Sequence, residues 1–104
     1  MIQTLAQLKR EAANYTWEIF YNSYLNPENP TAISERMSGQ RTIHKFQSNA
    51  IAFQMPNGEI SWLYFKGAKE FSFEQDGECP IVIRTDHKGT MKYRLRPING
   101  QQAV

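Results

Sequence analysis

The amino-acid sequence predicts one α+β domain, in which an N-terminal helix packs on an antiparallel meander sheet of five or six strands that can curl toward a small barrel. The length of 104 residues suits one hydrophobic core and not two. Aromatic residues make up 12% of the chain, which favours strands. Short alternating apolar and polar segments recur at even spacing between Gly, Pro and Asn residues. We place the domain at residues 1–97 and a flexible tail at 98–104.

A helix is predicted to begin after Thr4. The segment Thr4 to Gln7 fits a capping box, in which the Thr4 hydroxyl accepts from the Gln7 backbone and the Gln7 side chain returns to Thr4. Leu8 and Ala12 continue an apolar stripe at helical spacing. We therefore expect about three turns of amphipathic helix, ending at Ala13.

The first strand is predicted to follow a break at Asn14. Alternation from Tyr15 to Asn22 places Tyr15, Trp17, Ile19 and Tyr21 on the core face, although a continued helical stripe is the competing interpretation. Further strands are expected at 41–46, 50–55, 59–65 and 71–74.

The clearest hairpin signal in the middle of the chain is Asn57-Gly58, because both positions of a type I′ turn need positive φ. With those two residues as the loop, Phe53 pairs with Trp62, on a face that we expect to be core. The same register pairs Ile51 with Tyr64 and Met55 with Ile60, on that same face.

A second hairpin is predicted to close the chain, from Ile81 to Arg96. A three-residue loop ending in Gly89 would place Arg84 opposite Lys92, outside the core. A register shifted by one residue would instead bury Arg84 beside Met91, so burial preference favours the first register. Along the second strand, Met91, Tyr93 and Leu95 would face the core while Lys92, Arg94 and Arg96 form a basic stripe.

The longest irregular stretch is residues 25–39, which contains Pro27, Pro30 and Gly39. A loop of this length in a compact domain is often a binding or regulatory element. It is therefore a second candidate for a functional segment.

No residue pattern indicates catalysis, a metal or a cofactor. Cys79 could be drawn with His44 or His87 as a nucleophile and base, but no oxyanion-hole pattern accompanies them. The histidines and cysteine lack zinc-site spacing, and the glycines are scattered and build no phosphate loop. We expect a non-enzymatic protein without cofactors; an apolar pocket containing Cys79 or His44 with convergent polar groups would indicate an enzyme instead.

Charge is distributed unevenly along the chain. Residues 1–80 carry seven Lys or Arg and nine Asp or Glu, whereas residues 81–104 carry five basic residues against one acidic residue. The leading hypothesis is therefore contact with an anionic partner, nucleic acid first, by non-specific phosphate recognition. The residues expected to make that contact are Arg84, Lys88, Lys92, Arg94 and Arg96.

Two alternatives explain the same features. Lys and Arg protect exposed edge strands from aggregation, which accounts for the basic stripe equally well. The protein could also be a protein-binding module or inhibitor that uses the 25–39 loop or a sheet edge.

The segments Gly39 to Asn49 and Ser61 to Lys69 resemble a pattern in small uncharacterised proteins of bacteriophages and mobile elements. This resemblance covers the middle third of the chain and implies a non-enzymatic binder that acts on host or phage machinery. It implies no particular site residue.

A cytoplasmic protein is expected, because the single cysteine allows no internal disulfide and the N-terminal residues do not form a signal peptide. No run of apolar residues has the length of a membrane span. We expect no membrane partner and no small-molecule substrate.

Overall fold

Within residues 2–35 and 37–98, which the computed structural model describes, the protein consists of one short helix followed by seven strands. Helix α1 spans Leu5–Glu11 and continues into one turn of 3-10 helix, Ala12–Asn14. The strands are β1 Tyr15–Asn22, β2 Gln40–Phe46, β3 Ala50–Gln54, β4 Ile60–Tyr64, β5 Glu70–Asp76, β6 Cys79–Asp86 and β7 Gly89–Pro97. The predicted helix and antiparallel sheet are confirmed, with seven strands in place of five or six.

All seven strands form one antiparallel sheet in the order β4-β3-β2-β1-β7-β6-β5. The chain winds as two meanders, β1 to β4 and β5 to β7, and the pairing of β1 with β7 joins them. Strands β4 and β5 are therefore the two edges of the sheet, and β7 lies inside it. The edge-protection interpretation of the basic stripe is wrong for this reason.

The sheet curls around an aromatic core without closing into a barrel. The Trp17 ring lies 5.0 Å from Phe53 and 5.6 Å from Tyr93, and all three side chains are buried. The Arg84 Nε donates to the Tyr64 carbonyl over 2.9 Å, which ties the β4 edge to β6 across the open side. This curvature creates a concave interior between the two halves of the sheet.

Helix α1 supplies its apolar stripe to the same core. Leu8 and Ala12 are buried, and the Trp17 indole N–H donates to the Ala12 carbonyl over 3.3 Å. Thr4 caps the helix as predicted, accepting from the Gln7 backbone N–H. The Gln7 side chain does not return to Thr4; its Oε1 accepts from the Gln3 N–H at 2.7 Å.

Strand β1 changes phase because of a bulge. Trp17 and Ile19 face the core, but the register shifts between Ile19 and Tyr21. A bulge inserts one residue that has no partner across the ladder, so the faces exchange beyond it. Asn22 is therefore buried in place of Tyr21, whose predicted core position is wrong. The Asn22 Oδ1 accepts from two backbone N–H groups of the chain that follows, at 3.0 and 3.2 Å.

The β3–β4 hairpin closes with a register one residue away from the predicted one. The backbone N–H of Met55 donates to the Glu59 carbonyl over 2.8 Å, so the loop consists of Pro56, Asn57 and Gly58. Gly58 has a φ of +89°, the left-handed residue of a three-residue connection. Proline cannot donate a ladder hydrogen bond, and this favours its inclusion in the loop.

The β6–β7 hairpin also differs from the predicted register by one residue. Asp86 pairs with Gly89 around a two-residue loop, which brings Arg84 opposite Met91. The Asp86 Oδ1 accepts from the backbone N–H groups of Lys88 and Gly89, over 2.8 and 3.2 Å. These bonds close a short turn at Asp86, an Asx-type turn that needs no left-handed glycine.

The irregular 23–39 segment is anchored to the tip of this hairpin. The Ser23 Oγ accepts from the Thr90 N–H at 2.8 Å, and the Ser23 N–H donates to the Thr90 carbonyl at 3.0 Å. Of the predicted tail, Ile98 donates to the Asn14 carbonyl, and residues 99–104 lie outside the described part. Among the described residues, no helix is long and apolar enough to cross a membrane.

Candidate functional site

The three basic residues of β7 lie on the face opposite the core, as alternation predicts. Tyr93 and Leu95 are buried between them. Lys92, Arg94 and Arg96 face the β1 residues Tyr21, Glu18 and Thr16 by register. The predicted stripe therefore exists, on an internal strand of the sheet.

Carboxylates on both sides neutralise part of this stripe. The Arg94 guanidinium lies 3.7 Å from the Glu18 carboxylate and 3.6 Å from that of Asp76. The Arg96 Nε lies 3.4 Å from the same Glu18 side chain. Such partly exposed pairs contribute little to stability, but they lower the positive potential that would attract a polyanion.

Aromatic rings cover two of the cations. The Arg94 guanidinium lies 4.4 Å from the centre of the Phe20 ring, and the Lys92 Nζ lies 4.8 Å from that of Tyr21. Cation–π contacts at these distances are worth about 0.5–1 kcal/mol at exposed sites. The stripe is thus a packed surface layer in which Lys92 and Arg94 already have partners.

Arg84 does not join the stripe. By its pairing with Met91 it points to the concave side, where its side chain is only 14% exposed. Its Nη1 lies 2.7 Å from the Asp86 Oδ2, and this ion pair makes the buried position tolerable. Burial raises the pKa of Asp86, but hydrogen bonds from Arg84 and the loop backbone outweigh it and hold that pKa below its usual value.

Lys88 lies at the exposed tip of the β6–β7 hairpin, apart from the other four basic residues. Its Nζ is 5.6 Å from the centre of the Tyr24 ring, in the 23–39 segment. The five basic residues of the sequence hypothesis therefore occupy three places: the outer face, the concave interior and the hairpin tip.

The cysteine and histidines are not gathered into one site. Cys79 begins β6, and His44 lies in β2 with two strands between them. His87 is exposed in the loop at the far end of β6. No group of three or more potential metal ligands occurs among the described residues.

The free edge of the sheet at β4 carries an exposed apolar strip. Ile60 and Trp62 are each 43% exposed, and Tyr64 is 51% exposed. The Trp62 and Tyr64 rings are nearly parallel, with centres 6.2 Å apart. The sequence prediction placed these three side chains in the core, and the one-residue change of register is what turns them outward while Leu63 is buried.

The same three residues point their backbone groups away from β3. Glu59 and Phe65 make ladder bonds at the two ends of the β3–β4 pair, at 2.8 and 2.9 Å. Hydrogen-bonded and non-bonded pairs alternate in an antiparallel ladder, so Ile60, Trp62 and Tyr64 are the non-bonded positions toward β3. The Tyr64 carbonyl, which accepts from Arg84, confirms this direction.

The two edges of the sheet differ in charge. Strand β5 contains the exposed carboxylates Glu70, Glu74 and Asp76, whereas the β4 residues Ile60–Tyr64 include no charged side chain. Natural proteins protect edge strands with charges, proline or bulges, because unpaired backbone groups recruit other strands. Strand β4 itself has no charge, proline or bulge, and Arg84 covers it only at the Tyr64 carbonyl.

A cavity of about 190 Å³ lies in the concave interior and contains one buried cation at its wall. Arg41 is 2% exposed, facing inward opposite Trp17. Its Nη2 donates to the Met37 carbonyl over 2.7 Å, its Nε lies 2.7 Å from the Met55 sulfur, and its Nη1 has no partner. Burial lowers the pKa of Arg41, and burial raises that of the neighbouring Tyr93 to about 12.

Sequence reasoning missed Arg41 and the β4 edge as candidate sites. Period-two alternation puts Arg41 on the same face as Ile43, so a charged residue in phase with the core was a detectable signal. Trp62 carried no such signal, since the choice of loop length alone decides which way it faces.

No protein-family model matches the chain, and no curated protein or solved structure gives a significant match.

Proposed function

We propose that the protein is a non-enzymatic binding module that takes an extended segment of a protein partner along the free edge of β4. The observation that carries this proposal is the coincidence, at Ile60, Trp62 and Tyr64, of outward backbone groups with exposed apolar side chains. Added strands gain affinity from main-chain hydrogen bonds and specificity from alternate side chains. Both components are available on this one strand.

The partner segment would continue the sheet beyond β4. Its backbone would exchange hydrogen bonds with Ile60 and Trp62, while alternate side chains cover the Trp62 and Tyr64 rings. Large aromatic residues dominate binding energy at protein interfaces, so Trp62 is the expected anchor. An apolar, β-prone segment suits this edge because the strand presents no charge to pair with.

The partner class follows from the resemblance of Gly39 to Asn49 and Ser61 to Lys69 to small proteins of phages and mobile elements. Such a partner would be a component of host or phage machinery.

The test is selection of short random peptides on the immobilised protein, followed by amide hydrogen exchange of the complex with a selected peptide. We expect exchange to slow at the Ile60 and Trp62 amides, which face the open edge; at Tyr64 the edge is already covered by Arg84. The Ser61 and Leu63 amides already face β3 and should change little.

Substitution of Trp62 by Pro removes the outward N–H without breaking a bond to β3, because edge strands accept proline where its nitrogen faces solvent. We expect at least ~10-fold weaker peptide binding, since a main-chain hydrogen bond contributes about 1 kcal/mol and an aromatic anchor adds more. Gln75→Lys on the opposite edge is the matched control and should bind normally. Unchanged affinity of Trp62→Pro, or exchange protection away from β4, would refute the proposal.

Nucleic-acid binding is the second candidate, favoured by the excess of basic residues in 81–104. It would use Lys92, Arg94 and Arg96 on the outer face, with Lys88 at the hairpin tip; Arg84 would contribute only if its pair with Asp86 opened. The ion pairs with Glu18 oppose it.

Glu18→Gln provides a direct test, because it frees Arg94 and Arg96 together. If the stripe binds phosphates, Glu18→Gln should bind a DNA duplex more tightly at low salt, and replacement of the three β7 cations by Gln should abolish binding. No binding by either Glu18→Gln or the unaltered protein at low salt would eliminate this candidate.

A further inference from the structure

The Arg41 guanidinium is a buried cation without a counter-ion among the described residues. No carboxylate of those residues forms an ion pair with it. Its two contacts are a carbonyl and a thioether sulfur, and Nη1 makes none. Buried charges in proteins are normally paired, because an uncompensated ion costs several kcal/mol of desolvation. A bound anion that supplies the missing counter-ion would explain why a charged residue lies at this position.

The adjoining cavity is suited to an apolar molecule. Its apolar wall includes four residues of the inner face of the sheet, Ile19, Phe53, Met91 and Tyr93, and two of the β4 edge, Ile60 and Trp62. Its volume of about 190 Å³ equals the volume that roughly six water molecules occupy in the liquid. A second cavity of about 260 Å³ shares Met91 and Tyr93 with the first, which extends the apolar wall beyond the first chamber.

We propose that this cavity binds a small monocarboxylate with an apolar body, whose carboxylate pairs with Arg41 and whose body lies against Met91 and Tyr93. A single cation balances a single negative charge. The planar guanidinium fork suits a carboxylate, and charge-assisted hydrogen bonds of this kind are among the strongest in proteins.

Entry of the carboxylate requires a methionine to move. Both Met37 and Met55 line the cavity, but only Met55 contacts the guanidinium with its side chain, by its sulfur at Nε; Met37 contacts it by its backbone carbonyl. Methionine side chains are unbranched and repack at low cost. Rotation of Met55 would free the guanidinium Nε for the carboxylate while the sheet stays in place.

The methionine methyl groups therefore report binding. We propose titration of the full chain with octanoate, observed by carbon-13 methyl signals of methionine. Saturable shifts are expected at Met37, Met55 and Met91. Inorganic phosphate should leave the three signals unchanged.

Arg41→Met removes the charge and retains an unbranched apolar side chain. Octanoate should bind this variant at least ~10-fold more weakly, the loss expected for one charge-assisted hydrogen bond. Uncharged 1-octanol should bind both proteins equally. Arg94→Met, on the outer face, is the matched control and should bind octanoate normally.

Ser61→Leu gives an independent test if Arg41→Met does not fold, because Ser61 lines the cavity without contacting the guanidinium. It should fill the chamber and weaken octanoate binding. The proposal is overturned if the methionine signals show no saturable shift up to the solubility limit. Equal octanoate affinity in folded Arg41→Met, or in Ser61→Leu, also overturns it. Peptide pairing at β4 does not depend on Arg41, so the two proposals can fail separately.

Discussion

Replacement of Arg41 by Met should make the ligand-free protein more stable. The buried ion carries a desolvation penalty of several kcal/mol even after relaxation. This penalty is offset in part by one hydrogen bond, which the charged Nη2 donates to the Met37 carbonyl over 2.7 Å. A hydrogen bond from a charged donor contributes ~1.5–3 kcal/mol. Nη1 has no partner and recovers none of this penalty. We expect a net gain of about 1–2 kcal/mol, since methionine fills most of the same volume without a charge.

Thermal unfolding followed by circular dichroism measures this effect. For a domain of this size, 1 kcal/mol shifts the midpoint by about 4–8 °C, so Arg41→Met should melt roughly 4–16 °C higher. Arg94→Met, on the outer face, loses a cation–π contact and weak ion pairs and should be less stable by about 0.5–1 kcal/mol, the opposite direction. If Arg41→Met melts several degrees lower, Arg41 stabilises the fold by its own contacts. The inference that its charge awaits an external counter-ion would then lose its basis.

Four further outcomes follow from the packing and the titrating groups. Phe53→Ala should cost about 3–5 kcal/mol in urea unfolding, because it opens a cavity beside the Trp17 ring. Because the pKa of Asp86 is lower in the folded than in the unfolded protein, its carboxylate stabilises the fold at pH values above about 4, and this stabilisation is lost as the pH falls through the folded pKa. In Asp86→Asn the free energy of unfolding should therefore depend less on pH in this acidic range. The pKa of Tyr93, raised to about 12, means that stability falls as pH rises from about 10 through 12, and Tyr93→Phe should reduce that loss. Gly89→Ala would place a Cβ 2.9 Å from the Ser23 Oγ and 3.0 Å from the Tyr24 nitrogen, so amide exchange at Ser23 and Tyr24 should accelerate.

Most elements of the fold could be predicted from the sequence because burial imposes a clear period. Thr4 marks the helix start, and the alternation of Tyr93 and Leu95 with basic residues gives the correct faces of β7. The bulges in β1 and β2 could not be predicted, since they depend on how a strand bends around its neighbours. Beyond the β1 bulge, the prediction assigned Tyr21 to the core where Asn22 lies.

The candidate sites were harder to predict for a specific physical reason. Both hairpin registers were inferred from the preference of glycine-containing turns and from the rule that charged residues stay outside. In the β6–β7 turn the Asp86 carboxylate bonds the loop backbone and also pairs with Arg84. That one side chain selects the shorter loop and compensates the charge that the loop turns inward. Arg84 and Asp86 are only two residues apart, so this compensation is local; the rule that charged residues stay outside considered Arg84 without its partner and therefore favoured the other register.

A change of one residue in register moved Arg84 to the inner face and moved Trp62 with Tyr64 to the outer face. These are the positions where local preference and observed placement disagree. Each disagreement lowers the stability of the fold, either by an inward charge or by an exposed ring. A sequence selected only for stability would not retain such residues. Arg84 is compensated by Asp86 within the chain. Among the described residues, no ion pair or hydrogen bond compensates the exposed Trp62 ring or the buried Arg41 Nη1 in this way. The β4 edge and the Arg41 cavity are therefore the first places to test for binding, ahead of the basic stripe.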